Sequence, residues 1–149
     1  MNTKWVQGFF KPKHPEKYKG NINKIVFRSS WELKFNQFLD QNPNILEWSS
    51  EPFGIPYYKP TTHKIHKYYP DYWIKYRDRN GNVIQEVVEV KPLAQTRPPK
   101  KGKGRRKKTV MYEQITYATN LAKWQACQAF CDKHNIKFRV VTEANLFNY

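Results

Sequence analysis

Apolar residues recur at helical spacing in two stretches of this chain and at strand spacing in the stretches between them. The first helical stretch opens at Ser29-Ser30 and runs to about Gln41. Trp31, Phe35, Phe38 and Leu39 form its apolar stripe, and Pro43 blocks continuation. Glu32 lies three residues before Phe35 and seven before Leu39, so it borders the buried stripe. The second stretch runs from about Val110 to Lys133. A break is expected near Asn120, and Asn135 is placed as a C-terminal cap before a strand over Ile136 to Val141.

The strand signals lie between. Ile45 to Tyr58 reads as strand, carrying Trp48, Phe53 and Ile55, with Pro52 and Pro56 limiting regular pairing. Residues 59–66 read as a loop. Tyr68 to Tyr76 reads as the next strand, Arg79-Asn80-Gly81-Asn82 as a turn, and Val83 to Lys91 as the partner strand. Along that partner Ile84, Glu86, Val88 and Val90 face one way, while Val83, Gln85, Val87, Glu89 and Lys91 face the other. The order α, β, β, β, α, β predicts an α/β or α+β domain, a mixed β-sheet flanked by helices. All 149 residues fit one domain. A Lys-, Pro- and Gly-rich arm with scattered Trp5, Phe9, Phe10 and Tyr18 covers residues 1–24, and a basic loop covers residues 92–109.

Charge changes the picture. Lys and Arg number 27 against 12 acids, giving a net charge of +15 and a partner that is polyanionic, most simply nucleic acid. Arg97, Lys100, Lys101, Lys103, Arg105, Arg106, Lys107 and Lys108 fall together with no acid among them. They read as a mobile segment that contacts DNA phosphates. Aromatic residues make up 16% of the chain, enough for a core and for stacking on bases. There is no run of 18 apolar residues and no apolar stretch of signal-peptide type near the N-terminus. A soluble, intracellular protein with no membrane association is expected.

Cys127, Cys131 and His134 share one helical face. Cysteines four apart on a helix have parallel Cβ vectors, which disfavours a disulfide, and zinc would need a fourth ligand for which His63 and His66 are remote. They read as core thiols beside a capping histidine, with Trp124, Phe130 and Phe138 also in the core.

An acidic cluster inside so basic a chain calls for an explanation. Glu32 sits on the first helix, Asp71 follows Pro70, and Glu89 and Lys91 are alternate residues at the end of an apolar strand. The short Asn80-Gly81 connection makes the last two strands neighbours. Asp71 and Glu89 are about equally far from that turn, which brings them close. Clustered carboxylates raise one another's pKa until a cation arrives. Such a cation can activate water and neutralise a phosphate, and a lysine beside it can orient the water or stabilise the charged phosphate. Each residue also has a structural reading: Ser29-x-x-Glu32 as a capping box, Asp71 as a turn residue, Glu89 and Lys91 as a solvated pair.

The runs FRSSWELKF, YYPDYWIKY and VVEVKP carry a resemblance to the PD-(D/E)xK nuclease superfamily. Within it the chain is similar to the TnsA-like N-terminal nuclease domain and to the head completion nucleases of T-even-type phages. The likeness extends from about Val26 through KWQACQAFCDKHNIKFRVVTE. It implies a restriction-endonuclease-like fold and a metal-dependent DNA endonuclease, with exonuclease activity as an extension. Glu32, Asp71, Glu89 and Lys91 would be the catalytic residues, with Asp71, Glu89 and Glu32 on Mg²⁺, or on Mn²⁺ in its place. TnsA-like enzymes often carry Gln where this chain has Glu89, so one metal or two stays open. Gln114 falls where such folds often place an auxiliary polar residue. The resemblance also implies double-stranded DNA and phage head, portal or neck proteins as partners. It implies action in the host cytoplasm during head completion and head–tail joining, and a place in the virion. Two other readings stand beside it: a non-catalytic neck protein that grips DNA or the portal, and a junction-resolving or transposon-type nuclease of the same fold.

Overall fold

The computed structural model describes residues 7–100, 102, 104–142 and 144–147. Trp5 of the N-terminal arm therefore lies outside the described residues, as do Lys101 and Lys103 of the basic loop.

Helix α1 spans Ser30–Gln41, with Ser29 as its N-cap: the Ser29 Oγ accepts the Glu32 N–H at 3.2 Å. Its far end is closed from outside. Lys17 Nζ donates to the carbonyls of Leu39, Asp40 and Asn42 at 2.7, 2.8 and 2.9 Å, where a cation also meets the negative end of the helix dipole. The Asp40 carboxylate in turn accepts the N–H groups of Lys13 and His14. The described part of the N-terminal arm is thus docked, and it contains a short ladder, β1 (Gly8–Phe9) antiparallel to β2 (Val26–Phe27).

The stretch expected as one strand over Ile45 to Tyr58 divides into β3 (Ile45–Ser50) and β4 (Ile55–Lys59). Glu51 takes φ +48°, a conformation that redirects the chain, and Pro52 follows without an N–H to donate. The segment expected as a loop over residues 59–66 is half strand. β5 (Lys64–Tyr68) pairs antiparallel with β4 across a turn at residues 60–63, where His63 has φ +53°. The strand expected from Tyr68 begins only at Tyr72, because Tyr68 closes β5 and Tyr69-Pro70-Asp71 turns the chain before β6 (Tyr72–Arg77). β7 spans Val83–Val90 after a turn in which Asp78 Oδ1 accepts the N–H groups of Asn80 and Asn82, both at 2.9 Å.

Helix α2 runs unbroken over Lys107–Lys133. Asn120 does not interrupt it, since Asn only mildly disfavours a helix interior and this one is buried. His134 is the C-cap, Asn135 takes φ +56°, and β8 (Lys137–Val141) follows. Lys107 and Lys108 belong to the first turn of α2 instead of the loop. The loop itself is partly ordered by a short 3₁₀ turn over Leu93–Thr96 and by Arg105, which donates to the Lys100 carbonyl at 3.0 Å and pairs with Glu113.

The central sheet has the order β3-β6-β7-β8, antiparallel except for β7 against β8. This is the mixed sheet of an α+β, restriction-endonuclease-like fold. One core lies on the α1 side, built on Phe35, Leu39, Trp48, Tyr72, Ile74, Val88 and Val90. A second lies between the β4–β5 hairpin and α2, built on Ile55, Tyr57, Tyr68, Val87, Cys127 and Cys131, with Trp124, Phe130 and Phe138 packed against it. Both cysteines are free and fully buried. No described helix is long and apolar enough to cross a membrane.

Candidate active site

The β6–β7 register sets the geometry. Tyr72 pairs with Val88, so the preceding residue, Asp71, falls beside Glu89 at the mouth of the two strands. Asp71 is held on both sides of its backbone turn. Its Oδ2 accepts the Val90 N–H at 2.8 Å, and its carbonyl accepts the Glu51 N–H at 2.9 Å. Glu89 is only 3% exposed. The Tyr68 hydroxyl, at the end of β5, donates to Glu89 Oε2, and Lys91 Nζ lies 3.4 Å from Oε1. Lys91 extends β7 past its last paired residue and is pinned to β8 by its N–H, which donates to the Val141 carbonyl at 2.9 Å. The strand expectation for Val83 to Lys91 thus places Val87, Glu89 and Lys91 on the α2 side, and Val88 and Val90 on the α1 side.

Burial and the Glu89 charge act together on Asp71. Removal from water is the larger cause and the neighbouring carboxylate the next, and they push the Asp71 pKa up to about 7. The Tyr68 hydroxyl is also raised above its ordinary value, by burial and then by Glu89, so it stays protonated and donating. The Asp71–Glu89 pair is therefore an electrostatically loaded site that a cation would relieve. Its donors are hard carboxylate oxygens, which suit Mg²⁺ or Mn²⁺ better than softer metals.

Glu32 approaches from α1. It keeps a structural bond, since its carboxylate accepts the Arg28 N–H, one residue before the N-cap, in a variant of the expected capping box. Burial raises its pKa first, and the Asp71 charge adds to the rise. The Tyr72 hydroxyl, which donates to Asn36 Oδ1 at 2.7 Å, is raised by burial and then by both Glu32 and Asp71, so both acids act on it. Among the described residues, no three or more His, Cys, Asp or Glu side chains are grouped so as to hold a metal ion. What the strands bring together is the pair Asp71 and Glu89. Mg²⁺ usually takes one or two carboxylates and completes its shell with water and phosphate.

Three charged residues escaped the sequence reading. Arg28 pairs with Glu51 at the rim and feels the charges of Glu32 and Asp71. Lys123, on α2, has its Nζ 5.8 Å from the ring centroids of both Tyr57 and Tyr68. Burial lowers its pKa, Lys91 lowers it further, and Glu89 opposes the change. Lys123 therefore brings a second cation to the Glu89–Lys91 neighbourhood. A signal for it existed, because it falls four residues before Cys127 on the buried face of α2.

Of the basic residues, Arg97, Lys100 and Arg105 line a cavity against α2, Arg106 is the α2 N-cap, and Lys107 and Lys108 follow in its first turn. That turn carries no acid, so the positive end of the helix dipole meets only positive side chains. Gln114 is exposed on α2.

The profile of the family described as TnsA-like endonuclease N terminal matches residues 42–143, a span that holds Asp71, Glu89 and Lys91 and leaves Glu32 outside. The chain is also 40% identical over 146 residues, 96% of its own length and 91% of that protein, to the head completion nuclease of Enterobacteria phage T4. No solved structure matches the chain at a significant level. The profile match over more than half of the chain and the 40% identity over nearly its whole length place this chain in the TnsA-like endonuclease family and make it a nuclease.

Proposed function

We propose that this chain is a Mg²⁺-dependent deoxyribonuclease, an endonuclease with exonuclease activity as an extension, that hydrolyses double-stranded DNA during phage head completion. The observation that carries the reading is the register that sets Asp71 beside Glu89, with Lys91 next on the same face. Asp71 and Glu89 would hold the metal, and Glu32 would assist from α1. Bound there, Mg²⁺, or Mn²⁺ in its place, would acidify a water and neutralise the scissile phosphate.

The chain's own groups do the remaining work. The Val90 N–H and the Tyr68 hydroxyl orient the two carboxylates in advance. Lys91 shares Glu89 with Tyr68, and it would turn to the attacking water or to the phosphate oxygens as charge builds there. The cations over Arg97 to Lys108 would hold the DNA backbone without reading sequence. The head completion named for the phage relative supports head, portal or neck proteins as partners, with action in the host cytoplasm during assembly and retention in the virion.

The test is cleavage of linear duplex DNA by purified protein with Mg²⁺, with EDTA, and with Asp71→Asn. Cleavage confined to the Mg²⁺ sample of the native sequence supports the proposal. Cleavage that survives EDTA would remove the metal from it, and absence of cleavage in every sample would favour a DNA- or portal-binding neck protein. A strong preference for four-way junctions over linear duplex would point instead to a junction-resolving nuclease.

A further inference from the structure

Two residues past Lys91 the chain leaves the sheet and arches over the first half of α2. The arch and the helix enclose a cavity of about 630 Å³, inside the roughly 300–1,000 Å³ typical of small-ligand pockets. Arg97, Lys100 and Arg105 line it from the loop, and Tyr112, Tyr117 and Asn120 from the helix. Tyr112 and Asn120 are eight residues apart, two helical turns along one face. Tyr112 is 70% exposed, an aromatic ring offered to a ligand. Asn120 is the opposite case. It is only 6% exposed, it lines the cavity, and among the described residues no side-chain hydrogen bond engages its amide. An amide that opens onto a cavity lined by Arg97 and Lys100, and by Arg105 paired with Glu113, can meet a ligand that carries both hydrogen-bonding edges and negative charge.

Paired duplex DNA does not offer that combination, because its Watson–Crick edges are paired and its rings are stacked. An unpaired nucleotide offers all of it: a π-face, a Watson–Crick edge and a phosphate. We propose that this cavity binds an unpaired nucleotide of the DNA substrate, as at an overhanging or frayed end. Its base stacks on Tyr112, its edge is hydrogen-bonded by Asn120, and its phosphate is held by Arg97 and Lys100. The pocket follows the strand that carries Glu89 and Lys91, so a captured end would be anchored beside the cleavage site. The inference rests on the reading of this chain as a DNA nuclease and gives that enzyme a preference for DNA ends over continuous duplex.

The experiment measures binding by fluorescence anisotropy with the full chain in EDTA, where cleavage is silent. Two labelled duplexes are compared, one blunt and one with a short single-stranded overhang. The native sequence should bind the overhang roughly tenfold more tightly, the scale of one base–aromatic stack. Tyr112→Ala and Asn120→Ala should each erase that preference and leave blunt-end affinity unchanged, and Tyr112→Phe should retain it. Tyr112 is exposed, so its variants test the site even if Asn120→Ala folds poorly. Equal affinity for the two duplexes, or a preference that survives Tyr112→Ala, would overturn the proposal. Competition by a free deoxynucleoside monophosphate at micromolar concentration would also overturn it, by assigning the pocket to free nucleotides. Loss of the overhang preference alone leaves Mg²⁺-dependent cleavage of blunt duplex intact, whereas failure of the nuclease reading removes cleavage of both.

Discussion

The two faces of the central sheet are built from the same strands and do different work. On the α1 face, Trp48, Tyr72, Ile74, Val88 and Val90 are closed over by Phe35 and Leu39. On the α2 face, Val87 is followed on the same side by Glu89 and Lys91, and Lys123 adds a second cation near them. β7 serves both faces because strand side chains alternate. Val88 and Val90 supply packing, while Glu89 and Lys91, one residue out of phase, supply charge. The packed face lets the loaded one exist. Like-charged carboxylates are tolerated at the sheet mouth only if the backbone beneath them cannot relax.

Substitutions on the two faces should therefore separate activity from stability. The largest effect is expected at the sheet mouth. Asp71→Asn, Glu89→Gln and Lys91→Ala should each reduce DNA cleavage by about a thousandfold or more, with a circular dichroism spectrum like that of the native protein. Native-level turnover in any of the three would detach that residue from the site. On the packed face, Trp48→Ala should cost about 3–5 kcal/mol by chemical denaturation, because Trp48 is fully buried against Phe10, Tyr18 and Tyr72. At a temperature where it remains folded it should still cleave. Selective loss of cleavage in folded Trp48→Ala would mean that the faces are not separable.

Glu32 spans both roles. If it only ties the start of α1, Glu32→Ala should lose about 0.5–2 kcal/mol and keep its turnover. Lost turnover with a small melting change supports the proposed role beside the metal. Neutralising Arg105, Arg106, Lys107 and Lys108 together should weaken DNA binding and flatten its log–log salt dependence, by about 0.9 for each phosphate that those side chains neutralise. An unchanged slope would put the DNA groove elsewhere.

The smallest effect concerns metal-free stability. The Asp71 pKa is raised from 3.8 to about 7, so protonated Asp71 suits the fold better than ionised Asp71. Its contribution to stability is complete below about pH 4 and is lost as pH rises through 7. In EDTA, Asp71→Asn should therefore melt near the native protein at pH 4.5 and above it at pH 8. Equal melting curves at both pH values would show that the two carboxylates are not in conflict.

Much of this was legible along the chain. The α1 stripe with its Ser29 cap, the Asn80-Gly81 turn, the alternation along Val83 to Val90 and the acid–lysine spacing are local patterns. They follow from backbone periodicity and turn chemistry, which act over a few residues. What failed was the partition of the Tyr-rich middle. A continuous apolar run does not say where a strand leaves one sheet for another, and here the break depends on Glu51 at φ +48° and on the hairpin's packing against α2. The continuity of α2 through Asn120 was likewise decided by burial, which outweighs a weak local preference. Sequence by itself thus determined which residues are candidates for the chemistry and that Glu89 and Lys91 share a strand face, since side-chain type and period two are properties of the chain. Only the tertiary structure set Asp71 beside Glu89, brought Tyr68 and Lys123 to them, and enclosed Asn120 under the basic loop. Those contacts join residues far apart in sequence, and long-range packing alone fixes which of them meet.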